Sequence, residues 1–308
     1  MKLALRIVVD TYRGTLLGVP RLLEILQRHG VQATFLFSLG PDHTGRAVGQ
    51  MLRAGNARAA WHTQAKSRYG VKSLFYGTLL PAPDIGRRCA DGMRAVADAG
   101  HEVAIHAWDR VRWLRSAEQA DAAWTEREMR RAQARFAEIF GRESPGHGAA
   151  GWQMNAHALR LTQRLGFAWA SDCRGTHPFM PVWRGEPIHC PQLPTTLPTL
   201  GELIAAGEYA PDDLHRPLLK ATVDVPAGGH VHTVHAELEG IGFAAVFERL
   251  LEGWRDQRYA LVGLGELFAS LDADTLPRHD IVRGTLPGRS APLMLQGEAF
   301  LSSWKEVA

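Results

Sequence analysis

The sequence predicts an α/β domain on a parallel sheet, closed as a single barrel or left open as a doubly wound sheet. Three observations predict it. Short apolar runs rich in β-branched residues alternate with segments of helical spacing. Helical segments stop at glycines, at Gly30, Gly100, Gly141 and Gly166. The first strand, helix and strand fit within forty residues, as a crossover between parallel strands requires.

Leu3 to Val9 is the first buried strand, interrupted by Arg6. Arg21 to His29 places Leu22, Leu23, Ile25 and Leu26 at helical spacing, and Ala33 to Leu39 is the second strand, stopped by Gly40-Pro41. Asp84 to Ala99 reads as helix, Glu102 to His106 as strand and Ala117 to Phe140 as a long charged helix. Ala156 to Leu165 and Phe167 to Ser171 form the next helix and strand. Six prolines between Pro178 and Thr199 leave loops with short extended pieces. Pro211 to Val223 is helical, His230 to His235 a strand, Phe243 to Trp254 a helix and Tyr259 to Gly263 a last strand. These make six or seven βα units. The pattern weakens from Asp272, so one domain is expected over 1–271 and a C-terminal extension over 272–308.

The 308 residues carry 35 Lys+Arg against 32 Asp+Glu, and 45% are hydrophobic, a globular composition with a sizeable core. A net charge of +3 argues against a nucleic-acid partner. Three cysteines, Cys89, Cys173 and Cys190, without a CxxC pair, exclude a disulfide framework and a thiolate zinc site, and fit a reducing compartment. The apolar run at the start is too short for a signal peptide, and no apolar stretch is long enough to span a bilayer, so a soluble or peripheral protein is expected. One stretch stands apart. Residues 43–83 hold Arg46, Arg53, Arg58, Lys66, Arg68 and Lys72 with no acid, together with Trp61, Tyr69, Phe75 and Tyr76. Following the second strand, this insertion sits on the active-site side of a parallel barrel and suits an anionic membrane surface.

Functional groups of parallel sheets gather at the C-terminal strand ends. Asp10, His106, Asp172 and His235 each close a strand, and Glu237 follows. Two carboxylates and two imidazoles around one mouth suit a divalent cation such as zinc.

Several blocks carry a more specific signal: LRIVVDTYRGT from Leu5, SLGPDHTGR from Ser38, EVAIHAWD from Glu102, SDCRG from Ser171, PQLPTTLPT from Pro191 and HAELEG from His235. Together they resemble the polysaccharide deacetylase (NodB-homology) family. Within it they resemble the branch that deformylates 4-deoxy-4-formamido-L-arabinose-phosphoundecaprenol. The resemblance implies a single distorted (β/α)7 barrel and a divalent metal, zinc or similar, that hydrolyses an N-acyl group. It also implies a polyprenyl-phosphate-linked sugar as substrate, a place at the cytoplasmic face of the inner membrane, and a role in lipid A modification and polymyxin resistance.

Carried over residue by residue, the resemblance makes Asp10 and His106 metal ligands and His235 the general acid. Asp42, Trp108, Arg110, Trp152, Asp172, Arg174 and Glu237 are expected to bind substrate. Three positions depart from the pattern. Val8 stands where the base is expected, Arg110 where the second ligand histidine is expected, and Gln153 where the orienting arginine is expected. Valine moves no proton, and arginine has no lone pair for a metal. An arginine beside Asp10 can instead form an ion pair that partly replaces the cation. Two functions follow. One is an amide hydrolase of the deformylase type, with His101, Asp109 or Glu237 as substitute base or ligand. The other is a catalytically inactive homologue that binds the glycolipid as sensor, carrier or partner subunit.

Overall fold

The computed structural model describes residues 1–47, 70–226, 228–287, 289 and 291–301. The first strand, β1 (Lys2–Val9), alternates its side chains between two apolar layers. Leu3, Leu5, Ile7 and Val9 pack outward into the main core, while Ala4 and Val8 pack into a smaller inner cluster with Leu36, Ala104 and Val231. A strand apolar on both faces is what a parallel sheet covered by helices requires.

β1 pairs in parallel with β2 (Thr34–Ser38), which pairs with β3 (Glu102–Ala107), then β4 (Gly146–His147) and β5 (Trp169–Ala170). The other side of β1 carries β8 (His230–His235), and its first residues also pair with β9 (Ala260–Val262). The result is a curled, seven-stranded parallel half-barrel. Among the described residues no regular strand fills the space between β5 and β8. Residues 192–196 do so instead, bonding Ala170 through the Leu193 amide and Val231 through the Thr196 amide. Pro191 and Pro194 break up any longer ladder there, and this is the distortion of the barrel.

The outer layer includes α1 (Val19–His29), closed by Gly30 at φ +60°. It continues with α2 (Ile85–Arg88), α3 (Ala90–Asp98), α4 (Arg110–Ser116), α5 (Ala122–Phe140), α6 (Ala156–Arg164), α7 (Leu200–Ala206), α8 (His215–Ala221), α9 (Ala244–Asp256) and α10 (Leu264–Ala269). Most expected elements are present, with differences. The helix expected from Asp84 breaks at Cys89, and the strand expected over 167–171 is two residues long. α4 and α7 were not expected. Each begins at a capping side chain, Asp109 accepting from the Arg112 amide and Thr199 forming a reciprocal capping box with Glu202.

A second sheet joins β6 (Met180–Trp183) and β7 (Glu186–Pro187) to β10 (Arg278–Gly284) and β11 (Leu293–Ala299). The C-terminal strands return to the barrel, where the Arg174 amide donates to Met294 and the Gln296 amide to Arg174. Of the basic insertion, Arg53, Arg58, Trp61, Lys66, Arg68 and Tyr69 lie outside the described residues.

Candidate functional site

Asp10 follows β1, His106 lies near the end of β3, Arg110 opens α4 and His235 ends β8. Val8 and His235 are register partners across β1 and β8. Arg110 Nε stands 3.6 Å and His106 Nε2 3.2 Å from Asp10 Oδ1. Burial would raise the Asp10 carboxyl, but the Arg110 guanidinium, helped by His106, holds it well below the usual carboxylate range. His106 Nδ1 donates to the Gly148 carbonyl at 2.5 Å, which turns Nε2 toward Asp10. Burial pushes the His106 pKa downward, while its hydrogen bond and charge interaction with Asp10 pull it back up. Gly148 is itself tightly packed, because a Cβ there would lie 2.4 Å from Leu36 Cδ1 and 2.9 Å from Arg6 Nη2.

The other expected residues build the walls. Glu237 Oε1 accepts from the Asp10 amide at 3.0 Å, the Thr11 amide at 2.9 Å and the Thr11 hydroxyl at 2.8 Å, so it shapes the turn after β1. A Cβ on Gly14 would fall 2.0 Å from that same oxygen. Asp42 accepts from the Tyr12 amide and from the amide and hydroxyl of Thr44. Its oxygens hold loops together, while it still lines one narrow cleft with Asp10, His43, Asp109 and Arg110. Asp172 Oδ1 accepts from His147 Nδ1 and the Ala149 amide, both at 2.7 Å. Arg174 is turned inward, donating to Glu202 at 2.7 Å and to the Thr195 and Leu197 carbonyls. Trp108 departs from the expectation. It lines a separate hollow with Asp84, Arg87 and Arg135, because its ring packs under the Arg135 guanidinium, 5.2 Å from the ring centre.

His101 lies before β3, at the opposite end of the sheet, accepting from the Ala33 amide. Asp109 caps α4 and holds His43 Nδ1 at 2.6 Å. Among the described residues no group of three His, Cys, Asp or Glu side chains could hold a metal. Asp10 and His106 make two donors, one fewer than a catalytic zinc takes, and the always-charged Arg110 stands beside them. These residues do not fit a family-type metal centre. The thiols are inert, with Cys89 and Cys190 pushed up to about 12 by burial.

Sequence reasoning missed Arg6. It shares the inner face with Val8 and Asp10, and its guanidinium is fully buried beneath them. Arg6 donates to Thr233 Oγ1 at 3.4 Å and to the Ser171 carbonyl at 3.3 Å. Burial lowers its pKa to about 10, against the pull of Asp172 and Asp10. The available signal was a charged residue at even spacing from Asp10 inside a buried strand. Glu202 and Arg289 were also missed. Both contact the group around Trp152, which follows Gly151 and has itself an uncommon φ of +55°.

Comparison with known proteins agrees with this architecture. Residues 13–170 match the family described as polysaccharide deacetylase. A Shewanella sediminis protein assigned as 4-deoxy-4-formamido-L-arabinose-phosphoundecaprenol deformylase ArnD is 37% identical over 295 residues, covering 96% of this chain and 94% of the relative. A Wigglesworthia glossinidia brevipalpis protein with the same assignment is 27% identical over 284 residues, covering 92% and 98%. A crystal structure assigned to the polysaccharide deacetylases of Mycobacterium smegmatis superposes with a TM-score of 0.62 at 20% identity, covering 92% of this chain and 95% of that one. With the family match over residues 13–170 and 37% identity across nearly the whole chain, this chain belongs to the polysaccharide deacetylase family.

Proposed function

We propose that this chain binds a polyprenyl-phosphate-linked amino sugar, of the formamido-arabinose class or a close relative, in the mouth above Asp10. The arginine beside Asp10 stands in for the family's metal, which argues against metal-dependent hydrolysis. The observation that carries this reading is the Asp10–Arg110 pair, with Val8 buried in the apolar plug where a base is expected. The glycolipid class comes from the relatives' assignments and from the retained walls: Asp172, Arg174, Trp152 and Glu237.

Access from a membrane fits the same mouth. Leu16, Leu17, Val71, Phe75, Leu79 and Leu80 are exposed. The segment after Asp10 meets the insertion where the Tyr12 and Tyr76 rings lie 6.4 Å apart. With Arg46 and Lys72 nearby in sequence, this apolar and basic surface suits the cytoplasmic face of the inner membrane. Among the described residues no helix is long and apolar enough to cross a bilayer.

Hydrolysis of the formamide is the second reading. It is favoured by the convergence of Asp10, His106 and His235 and by the likeness to the deformylases. Incubation with formamido-arabinose-phosphoundecaprenol and zinc separates the two. Binding without formate release supports recognition alone, and formate release above a heat-treated control supports the hydrolase.

A further inference from the structure

Two imidazoles face each other where the C-terminal strands meet the barrel. His177 lies in the connection between β5 and β6, and His279 lies on β10. Their Nε2 atoms are 3.2 Å apart. Both side chains are half-buried, and neither lines the cleft at Asp10.

The partners of the other polar atoms fix where the hydrogens are. His279 Nδ1 stands 3.0 Å from the Gly297 carbonyl, which can only accept. Nδ1 therefore carries the hydrogen of the neutral ring, and Nε2 carries the lone pair. Gln296 Oε1 accepts from the Thr176 amide at 2.8 Å, which turns the Gln296 amide nitrogen toward His177 Nε2 at 3.1 Å. His177 Nε2 must accept from that nitrogen, so its ring carries the hydrogen on Nδ1 and donates to Thr176 Oγ1 at 2.9 Å. Two neutral imidazoles thus meet lone pair to lone pair. A cation between the two nitrogens satisfies both.

The surroundings suit a metal ion there. Two imidazole nitrogens on one tetrahedral ion, each about 2.0–2.1 Å from it, stand about 3.3–3.4 Å apart. Each ring already donates its far N–H, one to a hydroxyl and one to a carbonyl, as ligating histidines do. The His279 ring is also held in advance. β11 carries an extra residue between the partners of His279 and Ile281, and Gly297 lies in that bulge. The Phe179 ring meets His279 edge-on, with 5.6 Å between centres. Imidazole ligands select zinc, nickel or copper over magnesium or calcium.

We propose that His177 and His279 form a site for a divalent transition-metal ion of this group, fastening the C-terminal strands to the barrel. Water completes the shell, and the Gln296 amide gives up His177 Nε2 to the ion. Two protein ligands make an exchangeable site that dialysis empties, rather than the tight centre that catalysis needs. The site is separate from the mouth and does not depend on the glycolipid reading.

Copper(II), the ion of this group that such ligands bind most tightly, is the probe. The full chain is titrated with copper alone and followed by EPR and by Tm. One copper per chain with two nitrogen ligands is expected, with a rise in Tm as the ion binds the folded state. His177→Gln and His279→Gln should each weaken that copper by about tenfold or more and remove the rise, because one ring cannot chelate. Gln296→Ala keeps both rings and removes the competing donor, so it should bind copper at least as tightly as wild type. Either histidine variant decides alone if it keeps a cooperative melt. Copper that binds wild type and histidine variant alike, or that shows a single nitrogen ligand, overturns the site. Copper lost in Gln296→Ala overturns the ligand assignment.

Discussion

Arg110 Nε stands 3.6 Å from Asp10 Oδ1, and that pair occupies the corner where a family-type metal centre would need a third ligand. Both side chains are largely buried, so their charges interact with little solvent screening. Arg110→Gln would leave the Asp10 carboxylate buried beside a neutral amide. The expected cost is about 3–5 kcal/mol, the range for removing one partner of a buried pair. Asp10→Asn in the same background should recover a good part of it. Urea unfolding of the four proteins of the cycle measures the coupling.

Arg110→His rebuilds a ligand set of Asp10, His106 and the new imidazole. Combined with Val8→Asp and Gln153→Arg, it should bind one zinc per chain. Cobalt substitution gives a visible absorption band that checks this directly. A triple variant that takes up no metal would mean that the backbone around Asp10 no longer accommodates an ion.

Glu237 ties the turn after β1 with three hydrogen bonds from Asp10 and Thr11. Glu237→Ala strands two buried amides and is expected to cost about 2–4 kcal/mol, most of it from unpaired donors. Denaturant unfolding reads the loss, and hydrogen exchange should show new opening at Asp10 and Thr11 before the rest of β1.

His232 supplies a pH signature separate from the mouth. Its ring is fully buried against Trp254, and burial, with Arg174 adding to it, pushes its pKa down to about 3. The unfolded chain protonates this residue near its ordinary value of about 6.5, so it binds a proton first as pH falls. His232 therefore contributes nothing to the pH slope above that value, and it lowers stability progressively from there down to about 3. His232→Phe should make the acid limb of the Tm–pH curve shallower by one proton.

Replacing Leu16 and Leu17 with serine should weaken sedimentation with anionic vesicles several-fold at low salt without changing Tm, because both side chains are exposed. Equal sedimentation of variant and wild type would move the lipid contact elsewhere.

Much of this was legible in the sequence. Alternating runs such as Leu3 to Val9, and glycines such as Gly30 at positive φ, predicted the parallel sheet and its helices. Asp10, His106, Arg110 and His235 converge because strand ends must converge in a curled parallel sheet. What escaped was set by tertiary pairing. β10 buries little but Ile281, so its sequence carries no alternating signal, and its pairing with β6 forms the strand. Arg6 looked like an interruption of a buried strand, yet its register places it under Asp10. Trp108 sits in the expected block, but its ring turns away toward Arg135. Short-range spacing does not encode that rotation.

The proposed function makes Arg110, rather than a metal, the cation beside Asp10. Metal analysis of the purified chain after equilibration with zinc and dialysis, alongside formate release from the glycolipid, tests it most directly. Zinc is expected well below one per chain, with no change in zinc content in Asp10→Asn and no formate. One zinc per chain that disappears in Asp10→Asn, together with formate release that disappears with it, would show a metal in the place assigned to Arg110.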